Sequence, residues 1–150
     1  MSEAHIVSIR VRYAETDQMG VVYYAKYFVW FEIGRVELMR ALGFEYRQLE
    51  EQDGCFLPVV EANCRYKAPA RYDDHLRLET RILNLRSSVV RFGYRLLRDT
   101  PDAPVLLAEG ETVHVVVDRA MQKTALPAHF AAALRSTLWL PAAVEGHVHS

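Results

Sequence analysis

The sequence predicts an α+β fold in which one long helix lies against an antiparallel sheet of about five strands. Residues 25–42 are apolar with almost no wholly polar face, which is typical of a buried helix. Five other segments alternate apolar and polar residues with the period of two that strands show. One strand precedes the helix and four follow it, and this order indicates an α+β layout.

The first predicted strand is His5–Tyr13, where Val7, Ile9 and Val11 alternate with more polar residues. A turn-rich loop at 15–20 leads into the long helix, which runs from about Ala25 to Leu42. At 1.5 Å per residue, about eighteen residues span about 27 Å, the diameter of a small domain. Gly43 follows as the expected C-cap.

The segment Phe44–Phe56 is predicted to be irregular and to include a loop at 50–54. The remaining strands are predicted at Leu57–Ala68, His75–Leu85, Ser88–Arg98 and Val105–Asp118. The last of them is apolar on both faces over 113–117 except for His114, which indicates a position inside the sheet. We expect His114 to be a hydrogen-bonded sheet residue, and Cys64 to be a small core residue with no base beside it to make it a nucleophile.

Pro127 opens a short predicted helix with Phe130, Leu134 and Leu138 at i, i+4 and i+8. Residues 141–150 are expected to be disordered. We therefore predict a single domain over residues 1–140.

Composition excludes several classes of protein. The net charge of −1 does not suggest binding to nucleic acid or to acidic membranes, and no apolar run is long enough to span a bilayer. Two cysteines without ligand spacing predict neither a metal site nor a disulfide scaffold. Since no signal peptide is apparent, a cytoplasmic location is expected.

Asp17 is the first candidate for chemistry. It lies in the loop just before the apolar helix, near the N–H groups that a helix start leaves without partners. Such a place can bind an oxyanion. On spacing alone, a role in capping the turn or the helix is favoured over catalysis, because aspartate is common at both positions.

The stretch Y-x-E-T-D-x-x-G-V-V-Y-Y-x-x-Y from residue 13, followed by F-E-x-x-R, resembles the hot-dog acyl-CoA thioesterases of the 4-hydroxybenzoyl-CoA thioesterase family. It is most similar to the Tol-Pal-associated bacterial subgroup. The resemblance implies a sheet wrapped around the helix, Asp17 as the catalytic carboxylate and the backbone amide of Tyr24 or a neighbour as oxyanion donor. It also places Val22 against the substrate. Many members of that subgroup carry His at the position of Tyr24, so an imidazole mechanism is not implied here.

The segment 65–98 holds nine basic residues against three acidic ones. Most of these cations are expected to lie on a solvated sheet face. The alternative is a patch for the phosphates of coenzyme A, which enters as part of the substrate and not as a cofactor. The resemblance places coenzyme A contacts at Lys67, Arg71, Arg86, Ser87, Ser88, Arg91 and Lys123.

Several alternatives stay open at this point. Asp17 could attack the thioester directly or act as a base for water. Related enzymes use a helix glutamate, and Glu32 and Glu37 lie on this helix, although Glu32 is expected to orient the loop or to pair with Arg35. An acyl-carrier-protein thioesterase and a non-catalytic acyl-CoA-binding module are alternatives, and an enoyl-CoA hydratase is disfavoured because no His stands near Asp17.

The resemblance also implies assembly, since family members are dimers built into tetramers with the ligand between subunits. A small sheet around one helix leaves open edges that natural proteins usually cover. We therefore expect a homo-oligomer, with a homotetramer favoured over a dimer. Phe44, Tyr46 and Phe56 are expected to pack over the helix end, with lining of an acyl pocket as the alternative.

Overall fold

A computed structural model describes residues 4–137 of the chain, and these form the expected α+β arrangement. The five strands and three α-helices in this range are β1 (His5–Arg10), α1 (Lys26–Ala41), α2 (Tyr46–Gln52), β2 (Val59–Tyr66), β3 (His75–Arg86), β4 (Val89–Arg98), β5 (Val105–Val115) and α3 (Ala128–Ser136). A 3-10 turn over Tyr13–Glu15 follows the first strand, which is shorter than predicted. The expectations for Leu138 and for residues 141–150 lie outside the described range.

All five strands form one antiparallel sheet in the order β1-β3-β4-β5-β2. β5 is an interior strand, as the apolar run over 113–117 predicted. The helix α1 packs against β1, β3 and β4. Trp30 and Phe31 are fully buried on the sheet side of α1, and the Phe31 ring stacks on Tyr94 of β4 with 4.3 Å between centroids. The sheet and the central helix therefore share one core.

Gly34 allows α1 to lie close to the sheet. A Cβ at this position would collide with the side chains of Thr80 and Leu78 on β3. Just after the C-terminal end of α1, Gly43 has a φ of +91°, and the amide of Phe44 donates to the carbonyl of Met39 at 3.0 Å. This is the glycine C-cap that the sequence predicted.

The helix is not buried all round, and that prediction was wrong. Val29 is 47% exposed and Ile33 is 40% exposed, on the side of α1 that faces away from the sheet. An apolar residue predicts burial, but it does not show whether the covering residues belong to the same chain or to another subunit. An apolar outer face is therefore consistent with either a covering layer of the same chain or a second subunit.

Two further predictions need correction. The segment expected to be irregular contains α2, a two-turn helix. Strand β2 is exposed along nearly its whole length, although one of its faces was predicted to be buried, because it is the edge of the sheet. Cys64 is consequently half-buried and packs against the margin of the core. Phe44 does pack at the helix end as expected, 4.6 Å from the ring of Phe130.

A chain of hydrogen bonds crosses the core from α1 to the start of β2. The guanidinium of Arg35 donates to the hydroxyl of Tyr94 at 3.2 Å, and that hydroxyl lies 2.6 Å from Thr112 Oγ1. Thr112 Oγ1 lies 2.9 Å from His114 Nε2, and His114 Nδ1 lies 3.0 Å from the carbonyl of Leu57. Since a carbonyl only accepts, Nδ1 carries the proton and Nε2 accepts from Thr112. His114 is thus the hydrogen-bonded sheet residue that was predicted.

Arg35 does not pair with Glu32 as expected. Its guanidinium is buried and bonds the hydroxyls of Tyr94 and, at 3.1 Å, Tyr46 of α2, whereas Glu32 is exposed. The hydrogen bond from Arg35 explains why Tyr46 lies over the helix.

Candidate active site

The loop that carries Asp17 is held by its own backbone. The amide of Asp17 donates to the carbonyl of Val21 at 2.8 Å, and the amide of Gly20 donates to the carbonyl of Asp17 at 3.0 Å. Gly20 has a φ of +81°, which a side chain would disfavour. Asp17 Oδ1 accepts from the amide of Met19 at 2.8 Å, so the carboxylate does cap its turn. Between residues 4 and 137, Oδ2 of this exposed side chain has no recorded partner.

The start of α1 presents two free amides. Val22 donates to the carbonyl of Ala70 at 2.8 Å, and Tyr23 donates to the carbonyl of Glu15 at 2.9 Å. The next two amides, those of Tyr24 and Ala25, have no acceptor within the described range. No side chain caps this helix start. These N–H groups lie at the positive end of the helix dipole and can bind a negatively charged oxygen.

Asp17 and Tyr24 line the same open cleft, which has a volume of about 420 Å³. Its other lining residues come from the loop, α1 and the end of β2, and they are Met19, Val21, Val22, Tyr27, Tyr66, Lys67, Ala68 and Pro69. Tyr66 fixes the helix start, because its hydroxyl donates to the carbonyl of Tyr24 at 3.0 Å. Asp17, Tyr24 with its free amide, and a largely apolar wall therefore meet in one cleft, and the free amide of Ala25 is the next along the chain.

Two tyrosines form the aromatic wall of the cleft. The rings of Tyr27 and Tyr66 meet edge to face at 4.9 Å, and the hydroxyl of Tyr27 accepts from the amide of Ala70 at 3.3 Å. Burial raises the pKa of Tyr27 and of Tyr66. Both hydroxyls stay protonated at neutral pH, so they act as hydrogen-bonding groups and not as bases.

Glu15 is a buried carboxylate next to this site. Burial opposes its ionisation, but hydrogen bonds from the Arg12 amide and the Trp30 indole, together with the Arg12 guanidinium, outweigh that effect and lower its pKa. Glu15 is therefore ionised at neutral pH. Sequence reasoning quoted this residue within the motif but gave it no role.

The structure brings together only part of the predicted site. Asp17, Val22, Tyr24 and Lys67 line the cleft, and Arg71 is next to it through a β-bridge with Val21. Val22 itself is buried, and its amide is used by Ala70. Tyr27 and Tyr66 were missed, and only the register of the sheet brings Tyr66 to the cleft.

The other predicted coenzyme A contacts lie at the opposite end of the sheet. Ser87 and Ser88 lie in the β3–β4 turn, where their carbonyls accept from Leu126 and Val116, and Lys123 bridges Val117 nearby. The ten residues of β4 cover about 30 Å between this far end and the cleft end. The residues at the far end are Arg86, Ser87, Ser88, Arg91 and Lys123.

Most cations of the predicted patch have carboxylate partners. Arg91 bonds Glu111 at 2.8 Å, and Arg77, Arg81 and Arg95 each lie within 3.7 Å of Glu79. These groups sit on the face of the sheet away from α1, where the plainer interpretation placed them. No ion pair is recorded within residues 4–137 for the exposed cations Arg71, Arg86 and Lys123, which therefore remain the better anion-binding candidates.

Among residues 4–137, no group of His, Cys, Asp and Glu side chains could hold a metal ion. None of the helices in that range has the length and apolar character needed to cross a bilayer.

Known proteins resemble this chain in sequence and in fold. A family model described as the thioesterase-like superfamily matches residues 11–134. The acyl-CoA thioester hydrolase YbgC of Escherichia coli O6:H1 is 36% identical over 120 residues, which are 79% of this chain and 87% of that protein. The crystal structure of hypothetical protein TT1821 from Thermus thermophilus is 38% identical, with a TM-score of 0.82 over 90% of this chain and 99% of that one.

The crystal structure of a mutant 4-hydroxybenzoyl-CoA thioesterase complexed with 4-hydroxybenzoyl-CoA also superposes, with a TM-score of 0.82 over 89% of this chain and 99% of that chain. Its 21% identity supports the fold alone. The hot-dog fold that the motif implied is thereby confirmed. Because the family model covers most of the chain, the protein belongs to the thioesterase-like superfamily, a family of thioester hydrolases.

Proposed function

We propose that this protein hydrolyses acyl-CoA thioesters to a carboxylic acid and free coenzyme A. The observation that carries the proposal is the shared cleft, which Asp17 and Tyr24 both line, at a helix start where the amides of Tyr24 and Ala25 have no acceptor within residues 4–137. The name of the E. coli relative, an acyl-CoA thioester hydrolase, supports the same substrate class. The similarity to the Tol-Pal-associated subgroup remains an expectation.

In the proposed reaction, the amides of Tyr24 and Ala25 bind the thioester oxygen and stabilise the negative charge that develops on it. Such preorganised donors usually make the largest single contribution to acyl transfer. Asp17 either attacks the carbonyl carbon itself or takes a proton from a water molecule that attacks it. The C–S bond then breaks, and the coenzyme A thiolate leaves with the bond's electron pair. Direct attack leaves a mixed anhydride on Asp17, which water cleaves, whereas attack by water gives the carboxylic acid at once.

The exposed edge strand β2 supports an oligomer. Val59 and Val60 are 48% and 57% exposed, and Tyr66 at the other end of the strand is 45% exposed. Val59 pairs with β5 at the far end of the sheet and Tyr66 at the cleft end. If two copies pair antiparallel along β2, the far end of one copy lies beside the cleft of the other. Residues at the far end, including Lys123, can then reach a ligand in the partner's cleft.

We therefore predict a homo-oligomer in solution, a dimer or, as family assembly suggests, a tetramer. The exposed Val29 and Ile33 of α1 offer a second apolar surface for the tetramer contact. Light scattering at micromolar concentration measures the mass directly. A lone species of 17.2 kDa would refute the shared-site arrangement, because the far-end cations would then have no cleft within reach.

Replacing Lys123 or Arg86 with alanine should raise KM for acyl-CoA several-fold and leave kcat nearly unchanged, because phosphate contacts are equal in the ground and transition states. The same variants should weaken the dependence of KM on salt, since exposed charges are screened over about 10 Å at 0.1 M. Arg91→Ala should have a smaller effect, because Glu111 already neutralises Arg91.

Arg47→Ala is the matched control, since Arg47 is an exposed cation on α2 that pairs with Glu51. Its KM and salt dependence should equal those of the wild type. Steady-state kinetics by thiol release at several salt concentrations give KM and kcat for the wild type and for each variant. Equal KM values for Lys123→Ala, Arg86→Ala and the control would exclude a phosphate site at the far end of the sheet.

A further inference from the structure

We propose that Glu15 is a positioning residue, which sets the distance between the Asp17 carboxylate and the free amides at the start of α1. The proposal rests on the function above, because it assumes that these two groups act on one substrate. Glu15 is not among the residues that line the cleft. Its effect passes through the backbone on both sides of the site.

The side chain of Glu15 joins the loop to the helix. Its Oε2 accepts from the indole Nε1 of Trp30 at 3.1 Å, and its Oε1 accepts from the backbone amide of Arg12 at 2.8 Å. The Arg12 guanidinium adds a third donor at 3.4 Å. Glu15 is 5% exposed and Trp30 is 1% exposed, so water cannot readily replace these partners.

The backbone of Glu15 holds the other half of the site. Its carbonyl accepts from the amide of Tyr23 at 2.9 Å, directly before the free amides of Tyr24 and Ala25. Asp17 follows Glu15 by two residues. It lies in the loop 17–21, which the bridge between Thr16 and Val22 closes. One buried residue therefore anchors the Asp17 loop through its side chain and the helix start through its carbonyl.

Three donors converge on this carboxylate, and only an acceptor on both oxygens can satisfy them. A glutamine amide must direct its NH₂ group at either the Trp30 indole N–H or the Arg12 amide. In either orientation the NH₂ group faces another N–H donor. The two donors repel each other, and we expect this repulsion to displace the loop relative to α1. Displacements of about 1 Å at a reacting group can cost up to a hundredfold in rate.

We therefore expect Glu15→Gln to lower kcat by about tenfold while KM for acyl-CoA stays within about twofold of wild type, because the proposed phosphate contacts Arg86 and Lys123 lie at the far end of the sheet. Trp30→Phe removes the indole donor and keeps an aromatic ring. In the double variant, the glutamine NH₂ no longer meets the indole N–H, so the combined loss should be smaller than the product of the two single losses. Multiplicative losses would overturn the proposed pairing.

Glu51→Gln is the matched control, because Glu51 is an exposed glutamate on α2 that pairs with Arg47, away from the cleft. Its kcat and KM should be those of wild type. All assays use the full chain well below its melting temperature. An unchanged kcat in Glu15→Gln would overturn the proposal.

Amide hydrogen exchange tests the same idea without any activity. In Glu15→Gln, the amides of Asp17 and Tyr23 should exchange at least tenfold faster, while the amide of the core residue Phe92 keeps its wild-type rate. Equal acceleration at Phe92 would show a loss of global stability and contradict a positioning role. If the wild type releases no thiol from any acyl-CoA, the proposed function fails, and this exchange measurement alone decides the role of Glu15.

Discussion

Replacing Asp17 with asparagine should lower kcat for acyl-CoA hydrolysis by a hundredfold or more and leave the melting temperature unchanged. Asparagine retains the side-chain oxygen that accepts from the amide of Met19, and it is as favourable as aspartate in such turns. It lacks the negative charge that both a nucleophile and a base require. A hundredfold loss is the usual scale for a positioned acid–base group.

This variant distinguishes a catalytic role from a purely structural one. Asp17 does cap its turn, and capping was the role that its spacing in the sequence favoured. Asp118→Asn is the control, because Asp118 Oδ1 caps a turn in the same manner through the amides of Ala120 and Gln122. Both variants should have the melting temperature of the wild type. Near-normal kcat in a well-folded Asp17→Asn protein would refute the proposed mechanism, and Glu32 would be tested next.

The same comparison separates the enzyme from a module that only binds acyl-CoA. A binding module needs the cations and the cleft but not the charge of Asp17. The Asp17→Asn variant of an enzyme should still bind a non-hydrolysable acyl-CoA analogue with wild-type affinity. Hydrolysis of acyl groups on an acyl carrier protein is tested by offering both carriers with one acyl group and comparing kcat/KM.

The strand and helix order could be predicted from the sequence because each element repeats its apolar residues with the period of its own geometry. The prediction failed where neighbours decide burial. Strand β2 alternates like a half-buried strand, but its edge position leaves Val60 and most other residues exposed. Val29 and Ile33 are apolar, yet the described part of the chain leaves them 47% and 40% exposed.

The candidate site was predictable to the extent that it is local in sequence. Asp17 and Tyr24 are seven residues apart, so a loop followed by a helix start brings them together. Tyr66 reaches the cleft only because β2 pairs with β5 in one particular register, which composition does not encode. The charge of the segment 65–98 was misleading for a similar reason. Glu109 and Glu111, outside that segment, lie beside its cations once the sheet forms.

The buried imidazole of His114 should make the fold sensitive to acid. Burial, together with the charge of Arg35, lowers the pKa of His114 to about 4, although the bond to the Leu57 carbonyl opposes the shift. The pKa of an unfolded histidine is about 6.5. The folded chain thus binds fewer protons than the unfolded chain between these values, so the free energy of unfolding falls as the pH falls through this window.

From pH 7 to pH 4 this one group should remove about 3 kcal/mol of stability, at about 1.4 kcal/mol for each pKa unit. Protonation at Nε2 would direct a donor at Thr112 Oγ1, which already uses its own proton to bond the imidazole.

Urea unfolding of wild type and His114→Gln at several pH values isolates the contribution of His114 to the free energy of unfolding, because the carboxylates titrate alike in both proteins. The variant should be the less stable protein at pH 7, where it lacks the imidazole's hydrogen bonds, and the difference should narrow or reverse by pH 4. Parallel stability curves would mean that His114 keeps an ordinary pKa in the folded protein, and the chain from Arg35 to Leu57 would then not hold it neutral.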